Sequence, residues 1–211
     1  MRPTAPLLIA VLAIVGAVIG YTMWGQHQKL QQERAVTALV ADTTTQLRQA
    51  LTATPTREMF SRIDGNLRSL KAPRQPELAD AAEHYILGAR EIVRRRLDAA
   101  RFAQQAAAGR RALTAHMNAA GGSRRGEAWF RAALDLKKKV EREHFELDVT
   151  LKALYELLGS LPDAEKRLAP RIQPALLLDE RLGAQAREQA RADAERAAAE
   201  LEKVRRLAEA R

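Results

Sequence analysis

PELADAAEHYILGAREIVRRRLDAARFAQQAAAGRRALTAHMNA (residues 76–119) places Leu78, Ala82, Tyr85, Ala89, Ile92, Ala99, Ala103, Ala106, Leu113 and Met117 in alternating steps of four and three. That spacing keeps one face of a helix apolar along its length. Arg96 and Arg110 complete the same register. A charged residue in such a seam costs stability, and it sets register or snorkels to the edge. The spacing predicts one long helix from Pro76 to Ala119.

Downstream, Ala119-Ala-Gly-Gly-Ser123 reads as a turn, and Ser123 to Leu158 as a second long helix. Its stripe is Trp129, Ala133, Leu136, Val140, His144, Leu147, Leu151, Leu154 and Leu158, with a stutter at Val140-His144-Leu147. So short a turn predicts an antiparallel hairpin. With a pivot near Gly121, His144 is expected at the level of Asp98, and Lys137 to Lys139 nearer Arg94 to Arg96 and Arg101 than Arg110. Gly159 to Pro174 holds three prolines and reads as a linker with one helical turn at Asp163 to Leu168. In the last segment Ala190, Ala194, Ala197, Leu201, Val204 and Ala208 form a second unbroken seam. That seam suits either a helix docked on the hairpin or a coiled coil that binds a partner protein.

Upstream, no Gly or Pro occurs between Gln26 and Thr54, and Val36, Leu39, Thr43, Leu47 and Ala50 share one face. Thr54-Pro55 ends that helix, with Thr54 placed to cap the next one. Arg57 to Lys71 carries Met59, Phe60, Ile63, Leu67 and Leu70 on one side, before a turn at Pro73 and Pro76. Before all of this stands LLIAVLAIVGAVIGYTMW, Leu7 to Trp24, with no charged side chain between Arg2 and Lys29. At helical rise it reaches about 27 Å, close to the hydrocarbon thickness of a bilayer. It reads as an uncleaved signal anchor; a cleaved signal normally has a shorter apolar core. Gly16 and Gly20 form a GxxxG pair that suits self-association in lipid. A short basic tail before the span puts the N-terminus inside.

The 211 residues include 41 alanines and few aromatics. Alanine favours helix but buries little area, so a thin core of closely packed helices is expected and no sheet. The expected class is all-α: an N-terminal transmembrane helix, then an elongated antiparallel helical bundle or coiled coil. The expected parts are a tail at 1–6, an anchor at 7–24, a stalk and short helix at 25–73, a hairpin at 74–160, and a linker with a C-terminal amphipathic helix at 161–211.

Glu141-x-x-His144 has the spacing of carboxylate-bridged metal sites in bundles, and Asp80 and His84 share a helix face. A di-metal site needs a second Glu-x-x-His, and the sequence has none. His144 therefore reads as an interface histidine satisfied by Glu141 or a neighbour. No phosphate loop, nucleophile elbow or zinc spacing occurs, so no enzyme, metal or cofactor is expected. The net charge is +9, with basic clusters at Arg94 to Arg96, Arg110-Arg111, Arg124-Arg125 and Lys137 to Lys139. Without stacking aromatics or a recognition motif these read as solvated faces, and nucleic acid is not an expected partner.

These features lead to a single-pass membrane scaffold or adaptor of a bacterial envelope complex. It is non-enzymatic, sits in the inner membrane with its bulk in the periplasm, and meets a protein partner or its own copy. One alternative is an extracytoplasmic sensor. Long helices rising from a span resemble in outline the bundles of bacterial chemoreceptors, yet a sensor needs a second span. Another is a cytoplasm-facing anchor whose basic hairpin meets anionic lipid or nucleic acid.

Overall fold

Among the described residues the chain forms five helices and one short 3-10 turn. The computed structural model describes the backbone of residues 4–70, 75–119 and 126–209, with side chains described only from Gly16 to Arg206. The expected turn beyond Ala119, Pro73, the Arg124-Arg125 pair and the Ala208 side chain lie outside the described residues.

Helix α1 (Thr4–Thr52) is continuous from the apolar stretch into the bundle. Its lower half buries Val36, Val40, Thr43, Thr44, Leu47, Ala50 and Leu51. The expected stripe is present but wider, because α1 is covered on two sides. After a buried Pro55, Thr56 takes an extended conformation and accepts the Met59 N–H on its hydroxyl at 3.3 Å. Thr56, not Thr54, is therefore the cap, because the helix begins at Arg57 and Pro55 lies ahead of it rather than in its first turn. Helix α2 (Arg57–Ser69) returns along α1 and is held by Ile63, by Arg62 on Asp42 at 2.8 Å and by Asn66 on Asp42 at 2.9 Å.

Helices α3 (Pro76–Asn118) and α4 (Glu127–Leu168) form the expected antiparallel hairpin. Its register differs from a pivot at Gly121. A Cβ placed on Gly109 would meet Val140 at 2.9 Å, and one on Gly88 would meet Leu161 at 3.6 Å, so partners sum to about 249. The break between the helices is centred later, between Asn118 and Glu127. In addition, side chains lean toward the N-terminus of their own helix, so α4 residues reach glycines closer to the turn. His144 consequently lies level with Gln105 rather than Asp98, and Lys137 to Lys139 lie opposite Arg110 to Ala112.

The expected end of α4 at Leu158 is corrected by ten residues, because the helix runs through Gly159 and Pro162 to Leu168. Pro162 removes one helical hydrogen bond, an effect of about 3 kcal/mol in a helix interior. Burial of Leu158, Leu161 and Leu168 on one face offsets it. Pro162→Ala is expected to raise stability by about 1–3 kcal/mol with the fold unchanged. A chemical denaturation midpoint that fails to rise would show that the ring itself is needed.

The segment expected to be a linker is part of the core. Ile172, Leu177 and Leu178 are buried, and the Leu178 N–H donates to Glu165 Oε1 at 3.1 Å. A 3-10 turn (Pro174–Leu176) leads to helix α5 (Glu180–Glu209), where Asp179 Oδ1 accepts the Leu182 N–H at 3.1 Å. The Arg187 guanidinium then lies over the Tyr155 ring, 4.5 Å from its centroid, and fixes α5 on α4.

The protein is all-helical, an elongated bundle of packed helices with no strand among the described residues. Among those residues no helix is long and apolar enough to cross a membrane. Of the Leu7 to Trp24 stretch, the backbone is helical throughout, and the side chains are described only from Gly16 onward.

Candidate functional site

Three contacts show that α1 and α3 run parallel. Gln75 Nε2 donates to Glu33 Oε1 at 2.9 Å, the Thr44 and Tyr85 hydroxyls meet at 2.8 Å, and Arg96 Nη1 donates to the Leu51 carbonyl at 2.7 Å. The sequence offset is almost constant, as parallel helices of equal rise require. Helix α5 runs antiparallel to α4, because Gly159 meets Arg187 and His144 lies near Glu200. It is therefore parallel to α3.

Among the described residues α3 packs on α4 and α4 on α5, whereas α3 and α5 do not pack on each other, and neither do α1 and α4. Four helices thus define the corners of a square, with α1 opposite α4. The first of these leaves its corner at Thr52, level with Arg96. Helix α3 continues to Asn118, about 33 Å further at helical rise. Beyond Thr52 the described residues supply no fourth helix.

A slot of about 1030 Å³ results. Its floor is Leu147, Leu151 and Leu154 of α4, and its walls are Ala99, Ala103 and Ala106 of α3 facing Ala186, Ala190 and Ala197 of α5. Leu51 and Pro55 close one end. Small alanine side chains on both walls leave the width open, since they cannot reach across it.

Two polar layers cross the slot. In the first, Arg96 caps the C-terminal end of α1 through Leu51, where a cation complements the free carbonyls. Burial lowers its pKa, and Asp193 across the slot acts in the opposite direction. In the second, Arg110 of α3 pairs with Glu200 of α5 above His144 of α4. His144 is only 4% exposed, and neither ring nitrogen has a hydrogen-bond partner. Burial lowers its pKa first, the Arg110 charge lowers it further, and Glu200 partly offsets both.

No family model, curated protein or solved structure matches the chain. The slot is accordingly read from its own side chains.

The structure brings together some of the residues singled out in the sequence and separates others. Ala190, Ala194, Ala197, Leu201 and Val204 are buried inside the chain's own bundle. The C-terminal seam is thus the face by which α5 docks on α4, and in this arrangement it is not offered whole to a partner; only Ala190 and Ala197 also border the slot. Gly16 and Gly20 meet nothing within 4 Å and stand on an exposed face. Glu141 does not satisfy His144. It pairs with Lys137 at 3.0 Å, while His84 stays with Asp80 on an exposed surface. Among the described residues no three His, Asp or Glu side chains lie close enough to hold a metal ion. Arg94 and Arg95 pair with Glu91, and Arg101 with Asp98, along their own helix. Sequence reading missed Glu200 and Arg96 as parts of one slot. The signal for Arg96 was its place in an apolar seam; Glu200 carried none.

An unpartnered buried imidazole makes stability depend on pH. The folded pKa of His144 lies below the ordinary value of about 6.5. As pH falls through that value the unfolded chain takes up the proton first, so stability falls with acidification. His144→Leu is expected to raise stability at neutral pH by about 1 kcal/mol and to flatten this acid limb. Denaturation midpoints on both sides of the histidine range check it; an unchanged acid limb in the variant would assign the loss to other groups.

Proposed function

We propose that the chain is a single-pass membrane-anchored scaffold or adaptor, a non-enzymatic component of a bacterial envelope complex. One observation carries the reading. The described upper part of α1 stands off the bundle with Val18, Ile19, Tyr21, Met23 and Trp24 exposed, and the same helix runs without a break into the core. Large apolar side chains exposed together on one helix mark a surface made for lipid or for a partner. The sequence stays free of charge from Leu7 over a bilayer's length, and Tyr21 and Trp24 sit where rings favour the headgroup layer. From Trp24 to Val36, the first buried side chain among the described residues, a stalk of about 18 Å lifts the bundle off the membrane. In this reading Gly16 and Gly20 are free to pair with another span, and the bundle lies in the periplasm.

Reporter fusions after Arg211 test the proposal. A phosphatase that works only in the periplasm is expected to be active and to stay with alkali-washed membranes. Activity in the soluble periplasm would overturn the anchor. Fluorescence from a cytoplasm-dependent reporter, without phosphatase activity, would overturn the orientation and favour a basic hairpin facing anionic lipid.

A further inference from the structure

We infer that the slot between α3 and α5 is the docking site of an α-helix from a partner protein, which takes the corner that α1 leaves at Thr52 and places one hydrogen-bonding side chain at the level of His144. This deepens the adaptor reading and rests on it for the existence of a partner, but the geometry of the slot does not depend on the membrane.

Continuity is the first argument. The same corner is filled by a helix, α1, up to Thr52, packed mainly on α3 and only lightly on α5, and both α3 and α5 run on past its end. The second argument is the pattern of the walls. Ala99, Ala103 and Ala106 on α3 and Ala186, Ala190 and Ala197 on α5 follow steps of three, four and seven, as do Leu147, Leu151 and Leu154 below them. Three heptad seams converging on one line form the holes that a fourth helix fills with knobs.

The third argument is His144. A bundle layer with Arg110 from α3, His144 from α4 and Glu200 from α5 has three contributors, and the imidazole has no partner on either nitrogen. Buried polar groups are normally paired, and the Arg110–Glu200 pair that covers the orphaned ring is itself partly exposed, so a side chain from the empty corner reaches His144 by parting that pair. The neutral ring can donate one hydrogen bond and accept another, which suits an amide or hydroxyl side chain on the incoming helix. A shallower hollow of about 630 Å³ over Ala107, Thr114 and Ala115 continues the line along α3. A second copy of this chain would meet the bundle first through Phe130, Leu134, Phe145 and Val149, the exposed apolar side chains of α4, and none of these lines the slot.

The test uses the full chain in lipid nanodiscs and a labelled synthetic helix of three heptads, alanine at a and leucine at d. One version carries asparagine at the His144 layer and the other leucine. The asparagine helix is expected to bind with micromolar affinity and the leucine helix about tenfold more weakly, since the latter leaves the imidazole unpaired. Ala103→Trp fills the corner from an exposed wall position and is expected to abolish binding, whereas Val149→Trp, at an exposed position that does not line the slot, should leave it unchanged. Failure of both helices to bind would overturn the inference, as would equal binding to Ala103→Trp. It would also fail if dodecanoate displaced the helix or if Ala103→Trp broke a dimer of the chain, which would assign the slot to an acyl chain or to a second copy. Retention in the washed membrane is measured on the same preparations, so loss of the anchor leaves the slot result standing.

Discussion

Tyr85→Ala is expected to lower the stability of the bundle by about 3–5 kcal/mol, the range for removing a large aromatic side chain from a core. Tyr85 is the largest of the fully buried side chains, set on α3 where α1 packs against it. Its hydroxyl meets Thr44 Oγ1 at 2.8 Å, and the same Thr44 hydroxyl donates to the Val40 carbonyl at 2.9 Å. Thr44 has only one proton to give, so Tyr85 is the donor and Thr44 the acceptor. Burial raises the Tyr85 pKa far above the usual phenol range, so the ring stays neutral and keeps that proton. Two milder variants separate the ring from the hydrogen bond. Tyr85→Phe leaves Thr44 still bonded to Val40 and is expected to cost about 1 kcal/mol, while Thr44→Val strands a buried phenol and should cost about 1–3 kcal/mol. Chemical denaturation of the three variants decides the matter. A Tyr85→Phe loss greater than that of Thr44→Val would mean the donor assignment is reversed.

The elements most legible in sequence are those whose apolar stripe is long. From Pro76 to Met117, from Trp129 to Leu158 and from Ala190 to Val204 the spacing alone marks a helix and its inner face, and burial follows it except at Ala103 and toward the turn. Periodicity is a local property, so it survives without knowledge of neighbours. Tertiary overrides are invisible at that level. Gly159 and Pro162 looked like a break, but burial of Leu161 and Leu168 against the bundle outweighs two weak helix formers. Ile172, Leu177 and Leu178 looked like a linker because three apolar residues among prolines have no period, yet they fill the core beneath α5.

The slot was hidden for a different reason. It is made by a difference in length, between an α1 that stops at Thr52 and an α3 that continues to Asn118. That difference becomes a cavity only once α1 is known to lie parallel to α3 with Leu51 beside Arg96. The sequence offered two readings of Arg96, register and snorkelling. Its role as the cap of another helix required the tertiary contact. His144 was singled out for a metal-like spacing to Glu141, and the structure gives it a different meaning, a polar residue in an apolar seam with no partner from its own chain.

Ile63→Ala should act locally, in contrast to the Tyr85 variant. Ile63 is the single fully buried side chain of α2, with Met59, Phe60 and Leu67 only partly covered. Truncating it is expected to cost about 2–4 kcal/mol, from lost transfer energy and the cavity left behind. Among the described residues helix α2 packs on α1 and α3 and on no other helix. Its remaining ties are polar: Arg62 with Asp42, Asn66 with Asp42 and with the buried Thr43, and Arg90 with Asp64 at 2.7 Å and with the Phe60 ring at 5.0 Å. Such pairs contribute little each, so the apolar contact decides whether α2 stays docked. The variant should therefore lose amide protection over residues 57–69 while α3 and α4 keep theirs, because a peripheral segment can open without the global transition. Thermal midpoint should fall less than for Tyr85→Ala. Hydrogen exchange that weakened equally across α2, α3 and α4 would instead make α2 part of the cooperative core, and would place the joint between α1 and α3 under its control.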